Sequence, residues 1–196
     1  VLRDQRWMRH IGLTNFDTER VRTITEHGIR IISNQIQYSI IDRRPEVSMI
    51  DYCRDHKISL LTYGTVCGGL LSEKYIDVQE PGYSSLNTAS LRKYKHMIDQ
   101  WGGWALFQEL LHTLKAIAEK HNVTIPNVAV RYILDKPTVA GVIIGARLGI
   151  SDHRAENLRV FSFALDDEDI DAIHAISDQS RNLYDLVGDC GDEYRR

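Results

Sequence analysis

Cysteine is scarce, and what there is cannot act in concert. Cys53, Cys67 and Cys190 are the three in a chain of 196 residues. They form neither a CxxC pair nor a disulfide-framework spacing, which excludes a stapled secreted domain and points to a reducing compartment, the cytoplasm. Cys67 has no Cys–His constellation around it and reads as an inert buried thiol. The eight histidines show no metal-ligand spacing, so no zinc site is expected. No apolar run approaches the roughly 20 residues that a membrane helix needs. No basic and apolar leader precedes the first strand. A net charge of −3 supplies no attraction for nucleic acid or an anionic membrane. Tandem repeats and low-complexity tracts are absent too. The sequence opens on Val1 rather than Met, so a longer natural chain is expected.

What is present alternates. Four short aliphatic runs, 8–13, 29–33, 58–63 and 139–144, read as strands buried on both faces, each bounded by turn residues. Helix signals lie between them. Asp17 can cap a helix through Val21 and Ile24 that Gly28 stops. Pro45 suits a first helical turn, with Val47, Ile50 and Cys53 as its inner stripe. Leu106, Leu110, Leu114 and Ile117 repeat at helical spacing, and Thr124 and Pro126 open a helix through Val128, Val130 and Ile133. Ser151 can cap a helix through Leu158. Asp166 starts a last one with Ile170, Ile173 and Ile176 inside; the acids 166–169 read as a helix-start charge cluster.

This alternation predicts right-handed crossovers and a parallel α/β sheet. About four βα units are visible, and a full (β/α)8 barrel needs about 250 residues. The expected architecture is therefore a barrel of TIM type represented by about its last four units. Residues 1–180 form that half-barrel and 181–196 a polar tail, at most partly ordered. Four strands alone leave two open edges, through which self-association is a possible outcome. The stretch 76–103 reads as one long polar connection ending at Trp101-Gly102-Gly103-Trp104, whose tryptophans are either pocket walls or helix anchors.

Ligands of parallel α/β folds sit at the C-terminal strand ends. There the sequence places Thr14-Asn15, Gln35, Tyr63-Gly64 and Gly145-Ala146-Arg147. Amides can grip a carboxamide through donor and acceptor together, and an aromatic face can stack on a flat ring. A glycine-bearing turn before a capped helix offers backbone N–H groups to phosphate. Each has a plainer reading as well: Thr14-Asn15 as a strand end and turn, Tyr63 as core, Gly145 as a strand terminator.

The segments Ile11-Gly12-Leu13-Thr14-Asn15-Phe16, Asn34-Gln35-Ile36-Gln37-Tyr38, Leu61-Thr62-Tyr63 through Gly69-Leu70-Leu71, and Ile143-Ile144-Gly145-Ala146-Arg147 with Glu156-Asn157 resemble the aldo-keto reductases, in that family's order and spacing. The resemblance implies that Thr14, Asn15 and Gln35 hold a nicotinamide carboxamide and that Tyr63 stacks on the ring. It implies that Gly64, beside Tyr63, also meets the cofactor, that Gly145, Ala146 and Arg147 line the phosphate and ribose end, and that Glu156 and Asn157 meet the adenine. His153 stands where many members place a group for the 2′-phosphate; with Arg147 and Arg154 it leans the cofactor toward NADP, NAD being the alternative. The connection 76–104 corresponds to a variable segment that shapes the substrate pocket.

Departures accompany the resemblance. The family's strand motif continues from Tyr into Ser-Pro-Leu; here Gly64-Thr65-Val66 follows, without the serine that would touch the pyrophosphate. The catalytic Asp, Tyr, Lys and His come from the family's first four strands and have no counterpart here, so no catalytic residue is assigned. The implied function is NAD(P)-dependent reduction of small aldehydes or ketones when an N-terminal half is present, the isolated chain being inactive. The alternatives are a non-catalytic dinucleotide-binding or assembly module, or a truncated product. No nucleic-acid or membrane partner is implied.

Overall fold

The computed structural model describes residues 5, 7–146, 149 and 153–195. Four strands form one parallel sheet in sequence order: β1 (Gly12–Thr14), β2 (Ser33–Gln37), β3 (Ser59–Tyr63) and β4 (Val139–Val142). Consecutive parallel neighbours require crossovers, and helices supply them: α1 (Thr18–Glu26), α2 (Met49–His56), then α3 (Ala89–Trp101), α4 (Gly103–Lys120) and α5 (Ile125–Leu134) between β3 and β4. Helices α6 (Arg154–Leu158), α7 (Asp167–Ser177) and α8 (Leu183–Val187) follow β4.

The second strand differs from its expected place. The apolar run 29–32 is a connector with Ile29 largely exposed, and the polar Ser33-Asn34-Gln35-Ile36-Gln37 makes the strand. Hydrogen-bonded neighbours on both sides satisfy its backbone, which outweighs its modest strand propensity. Nor are the strands buried on both faces. Asn34, Ile36, Leu60 and Thr62 are fully buried beneath the helices, while Ser33, Gln35, Ser59 and Leu61 are only half-buried on the other face. The core therefore lies on one side of the sheet, where Val21, Met49, Cys53, Phe107, Leu110 and Leu114 are fully buried. Burying one such side chain stabilises by about 1.5–3 kcal/mol.

Several helix signals hold. Asp17 is the N-cap of α1, its carboxylate accepting from Arg20 N at 2.8 Å, and Asp166 caps α7 in a reciprocal box with Asp169. Asp17→Ala is expected to cost about 1 kcal/mol in urea denaturation, since it orphans that donor. Other signals shift. Pro45 opens a single 3-10 turn, the helix proper begins at Met49, and Val47 is thereby left exposed instead of inside. Helix α6 begins at Arg154 with His153 at its cap position; Ser151 lies outside the described residues.

The connection 76–103 contains a helix. Thr88 caps α3 through its hydroxyl to Leu91 N at 3.1 Å, and Tyr94, Met97, Ile98 and Trp101 turn inward. Lys95, also buried, is neutralised by Glu80 at 2.6 Å and Asp99 at 2.5 Å. Trp101 and Trp104 are both buried, and Trp104 Nε1 donates to Val78 O at 2.9 Å, so both anchor helices. The tail, expected to be at most partly ordered, is folded through residue 195. It forms α8 and a 3-10 turn at Asp192–Tyr194, with Leu183, Val187, Asp189 and Cys190 buried.

Candidate functional site

Three strands deliver side chains to one end of the sheet. The register sets Thr14 opposite Gln35 and Gln37 opposite Tyr63. Because side chains alternate, Asn34 points to the helix side, where its Nδ2 donates to Phe16 O at 2.8 Å and fastens the turn after β1. That turn passes through Asn15 in a left-handed conformation (φ 57°), which asparagine tolerates better than most residues. Asn15 N donates to Gln35 O at 2.8 Å. Tyr63 Oη donates to Asn15 Oδ1 at 2.7 Å, closing the group across the three strands. The Gln35 amide and Thr14 hydroxyl, by contrast, make no hydrogen bond among the described residues. A free amide and a free hydroxyl thus stand on paired strands, Thr14 at the end of β1 and Gln35 midway along β2.

Burial raises the Tyr63 phenol first, and its hydrogen bond to Tyr194 raises it further. It stays protonated throughout the physiological range and presents a neutral ring. Gly64 follows with φ 74°, and a Cβ there would come within 2.4 Å of Tyr94 Oη. Only glycine lets α3 close on this strand end. The adjacent Thr65 hydroxyl donates inward to Tyr38 O at 3.0 Å and offers nothing to a ligand.

Gly145 and Ala146 leave the sheet beside β3, since Ile143 N donates to Thr62 O at 2.7 Å, and both are exposed. Arg147 lies outside the described residues. His153 is exposed at the start of α6, while Glu156 and Asn157 are half-buried. Glu156 Oε1 is buried without a hydrogen-bond partner among the described residues; Arg159 stands 3.9 Å away. Glu156 O accepts from Asn127 Nδ2 at 3.0 Å, which ties α6 to α5. The structure thus gathers Thr14, Asn15, Gln35 and Tyr63, and sets His153, Glu156 and Asn157 together on a separate short helix.

Sequence reasoning missed what lies over the first group. The segment 188–195 crosses the strand ends. Tyr194 Oη sits 2.9 Å from Tyr63 Oη, Lys93 Nζ donates to Tyr194 Oη at 2.5 Å, and Arg195 donates to Asn15 O. The Lys93 ammonium also lies 5.6 Å from the centre of the Tyr63 ring. Arg44 holds the segment down, meeting Glu193 at 2.9 Å and Asp42 at 2.8 Å. The contacts of this segment with Lys93, Tyr63, Arg44 and Asn15 join residues 101 to 180 apart in the chain, beyond any local pattern.

A cavity of about 480 Å³ lies elsewhere, lined by Ile41, Arg43, Trp101, Ser177, Arg181 and Leu183 among others, and shares no residue with the strand-end group. His121, Asp166 and Asp169 bring ligand atoms within 4.8 Å of one another. Lys120 Nζ already meets both aspartates, at 2.6 and 2.9 Å, and His121 Nε2 is 2.6 Å from Asp169. The cluster is therefore a self-neutralised helix start. No helix among the described residues is long and apolar enough to cross a membrane.

The family model of the Aldo/keto reductase family matches residues 5–178. Flagellar radial spoke protein 5 of Chlamydomonas reinhardtii is 32% identical over 130 residues, covering 65% of this chain and 24% of that protein. The NADH-specific methylglyoxal reductase of Escherichia coli is 26% identical over 174 residues, covering 86% and 48%. Among solved structures, the glycerol dehydrogenase of Gluconobacter oxydans superimposes with a TM-score of 0.71 at 23% identity, over 96% of this chain and 53% of that one. The chain thus spans about half the length of the reductase and of the dehydrogenase, and about a quarter of the spoke protein.

Proposed function

Since this chain belongs to the aldo/keto reductase family, we propose that it is the dinucleotide-holding part of an NAD(P)-dependent oxidoreductase that reduces small aldehydes or ketones in the cytoplasm. In this reading residues 1–180 are the last four βα units of a TIM-type barrel. The observation that carries it is the pair of unused polar side chains, Thr14 and Gln35, beside the neutral ring of Tyr63.

The donor set fits a nicotinamide. A carboxamide needs one donor and one acceptor in a plane, and the Gln35 amide has both free, with the Thr14 hydroxyl able to take either part. The Tyr63 ring supplies an uncharged face against which a flat heterocycle can lie. The bound nicotinamide supplies the hydride; the residues of this chain hold and orient it. Gly145, Ala146 and Arg147 would meet the phosphates through backbone and guanidinium, and His153, Glu156 and Asn157 the adenosine end. NADP is the expected form, NAD the alternative. General-acid chemistry is assigned to an N-terminal half.

Titration of the purified chain with NADPH and NADH, followed by Trp and Tyr fluorescence, tests this. Saturable binding is expected, weakened about tenfold by Gln35→Ala, which removes a hydrogen-bonding pair of groups. A folded chain that binds neither dinucleotide at millimolar concentration overturns the reading. Joined to an N-terminal half, the chain is expected to reduce carbonyls.

A further inference from the structure

We propose that the segment 188–195 is a strap built over the strand ends that competes with a dinucleotide for Asn15 and Tyr63. The inference rests on the cofactor reading above and adds a regulatory step to that site. Its ground is the overlap of partners. Asn15 and Tyr63, the residues that flank the unused Thr14 and Gln35, already carry the strap: Asn15 O accepts from Arg195, and the Tyr63 hydroxyl meets that of Tyr194. The face of Tyr63 is approached by the Lys93 ammonium, which Tyr194 holds by a hydrogen bond and a ring contact of 4.6 Å.

The strap is seated closely. Gly191 has φ 86°, and a Cβ there would come 2.1 Å from Asn15 O, so the segment lies directly against the turn that carries the site. It is anchored on either side of that contact. Asp189 Oδ2 accepts from Thr18 N at 2.8 Å, and Glu193 meets Arg44. The contacts on the site itself are few and exposed, whereas the anchor at Asp189 is buried and that at Glu193 half-buried. Such a division lets Tyr194 and Arg195 lift from Tyr63 and Asn15 while Asp189 and Glu193 stay docked. A binding-competent fraction below one weakens apparent affinity by that fraction.

The test uses the full chain with Tyr194→Ala and Arg195→Ala combined, and separately Gly191→Ala, which forces the strap away from Asn15. All of them keep the buried residues of α8, and circular dichroism checks that they fold. Binding of NADPH and NADH by fluorescence is expected to be about tenfold tighter in both than in the natural chain. Hydrogen exchange of amides 194 and 195 in the natural chain is expected to rise when either dinucleotide is added. Unchanged affinity and unchanged exchange, with binding still weakened in Gln35→Ala, overturns the strap and leaves the cofactor reading standing. Weaker binding in the strap variants makes the segment part of the site and overturns competition. Binding by no folded variant removes the cofactor reading, and the strap with it.

Discussion

Arg44→Ala is expected to destabilise the protein by roughly 3–5 kcal/mol, the usual consequence of stranding buried carboxylates without their cation. Arg44 is 1% exposed. Its guanidinium meets both oxygens of Asp42 at 2.8 and 2.9 Å, both of Glu193 at 2.9 and 3.1 Å, and Asp189 O at 3.2 Å. Asp42 is itself fully buried, so its carboxylate loses its cation where solvation is weakest. Arg44→Lys keeps the charge but cannot make the paired contacts, so an intermediate loss is expected. Urea denaturation measures both. A loss below about 1 kcal/mol for the alanine variant would place the pair in the solvated class instead.

The same network sets a pH dependence. Burial would raise the Glu193 carboxyl, but the hydrogen bonds and charge of Arg44 outweigh it and hold it below the ordinary glutamate range. A carboxyl whose folded-state pKa is depressed contributes stability that is complete above its unfolded value. That contribution is lost as the pH falls through the folded one. Stability is therefore expected to fall on acidification below about pH 4.5, near the ordinary glutamate value. Glu193→Gln is expected to flatten that part of the profile.

Trp101→Ala is expected to cost about 3–5 kcal/mol, since a buried indole leaves both lost transfer energy and a cavity. In a chain of this size that lowers the thermal midpoint by on the order of 10 °C. Trp101 is 2% exposed at the end of α3, and its carbonyl accepts from Arg181 N at 2.7 Å, so it joins the inserted helix to the segment leading into α8. Trp101→Phe keeps most of the packing and is expected to lose much less. Unchanged stability with altered ligand binding would instead make the indole a pocket wall, the role its place beside the 480 Å³ cavity would allow.

The readable parts of this chain were those where one physical rule acts alone. Asp17 and Asp166 stand before amphipathic runs, and both cap helices because a short carboxylate satisfies orphan N–H groups in any context. Tyr63 and Gly64 could be placed at a strand end because an aliphatic run stops there. The misreadings came where rules compete. The run 29–32 looked more like a strand than Ser33–Gln37, yet pairing on both sides decided the matter. The stripe of Tyr94, Met97, Ile98 and Trp101 was hidden among lysines, arginines and histidines that lie on the outer face of α3 or, like Lys95, are paired.

Alternation of strand and helix and their caps are local properties of the sequence, and they determined the parallel α/β class; the grouping of Thr14, Asn15, Gln35 and Tyr63 was implied by the resemblance of their segments to one family. What covers those positions was decided only in three dimensions. Glu193, Tyr194 and Arg195 are unremarkable polar residues in a charged tail. They acquire a role because Arg44, Tyr63 and Asn15, 131 to 180 residues earlier, leave a buried cation, a hydroxyl and a carbonyl needing partners at one end of the sheet. Buried polar groups must find such partners wherever the chain can bring them, and that search is not confined to neighbours in sequence.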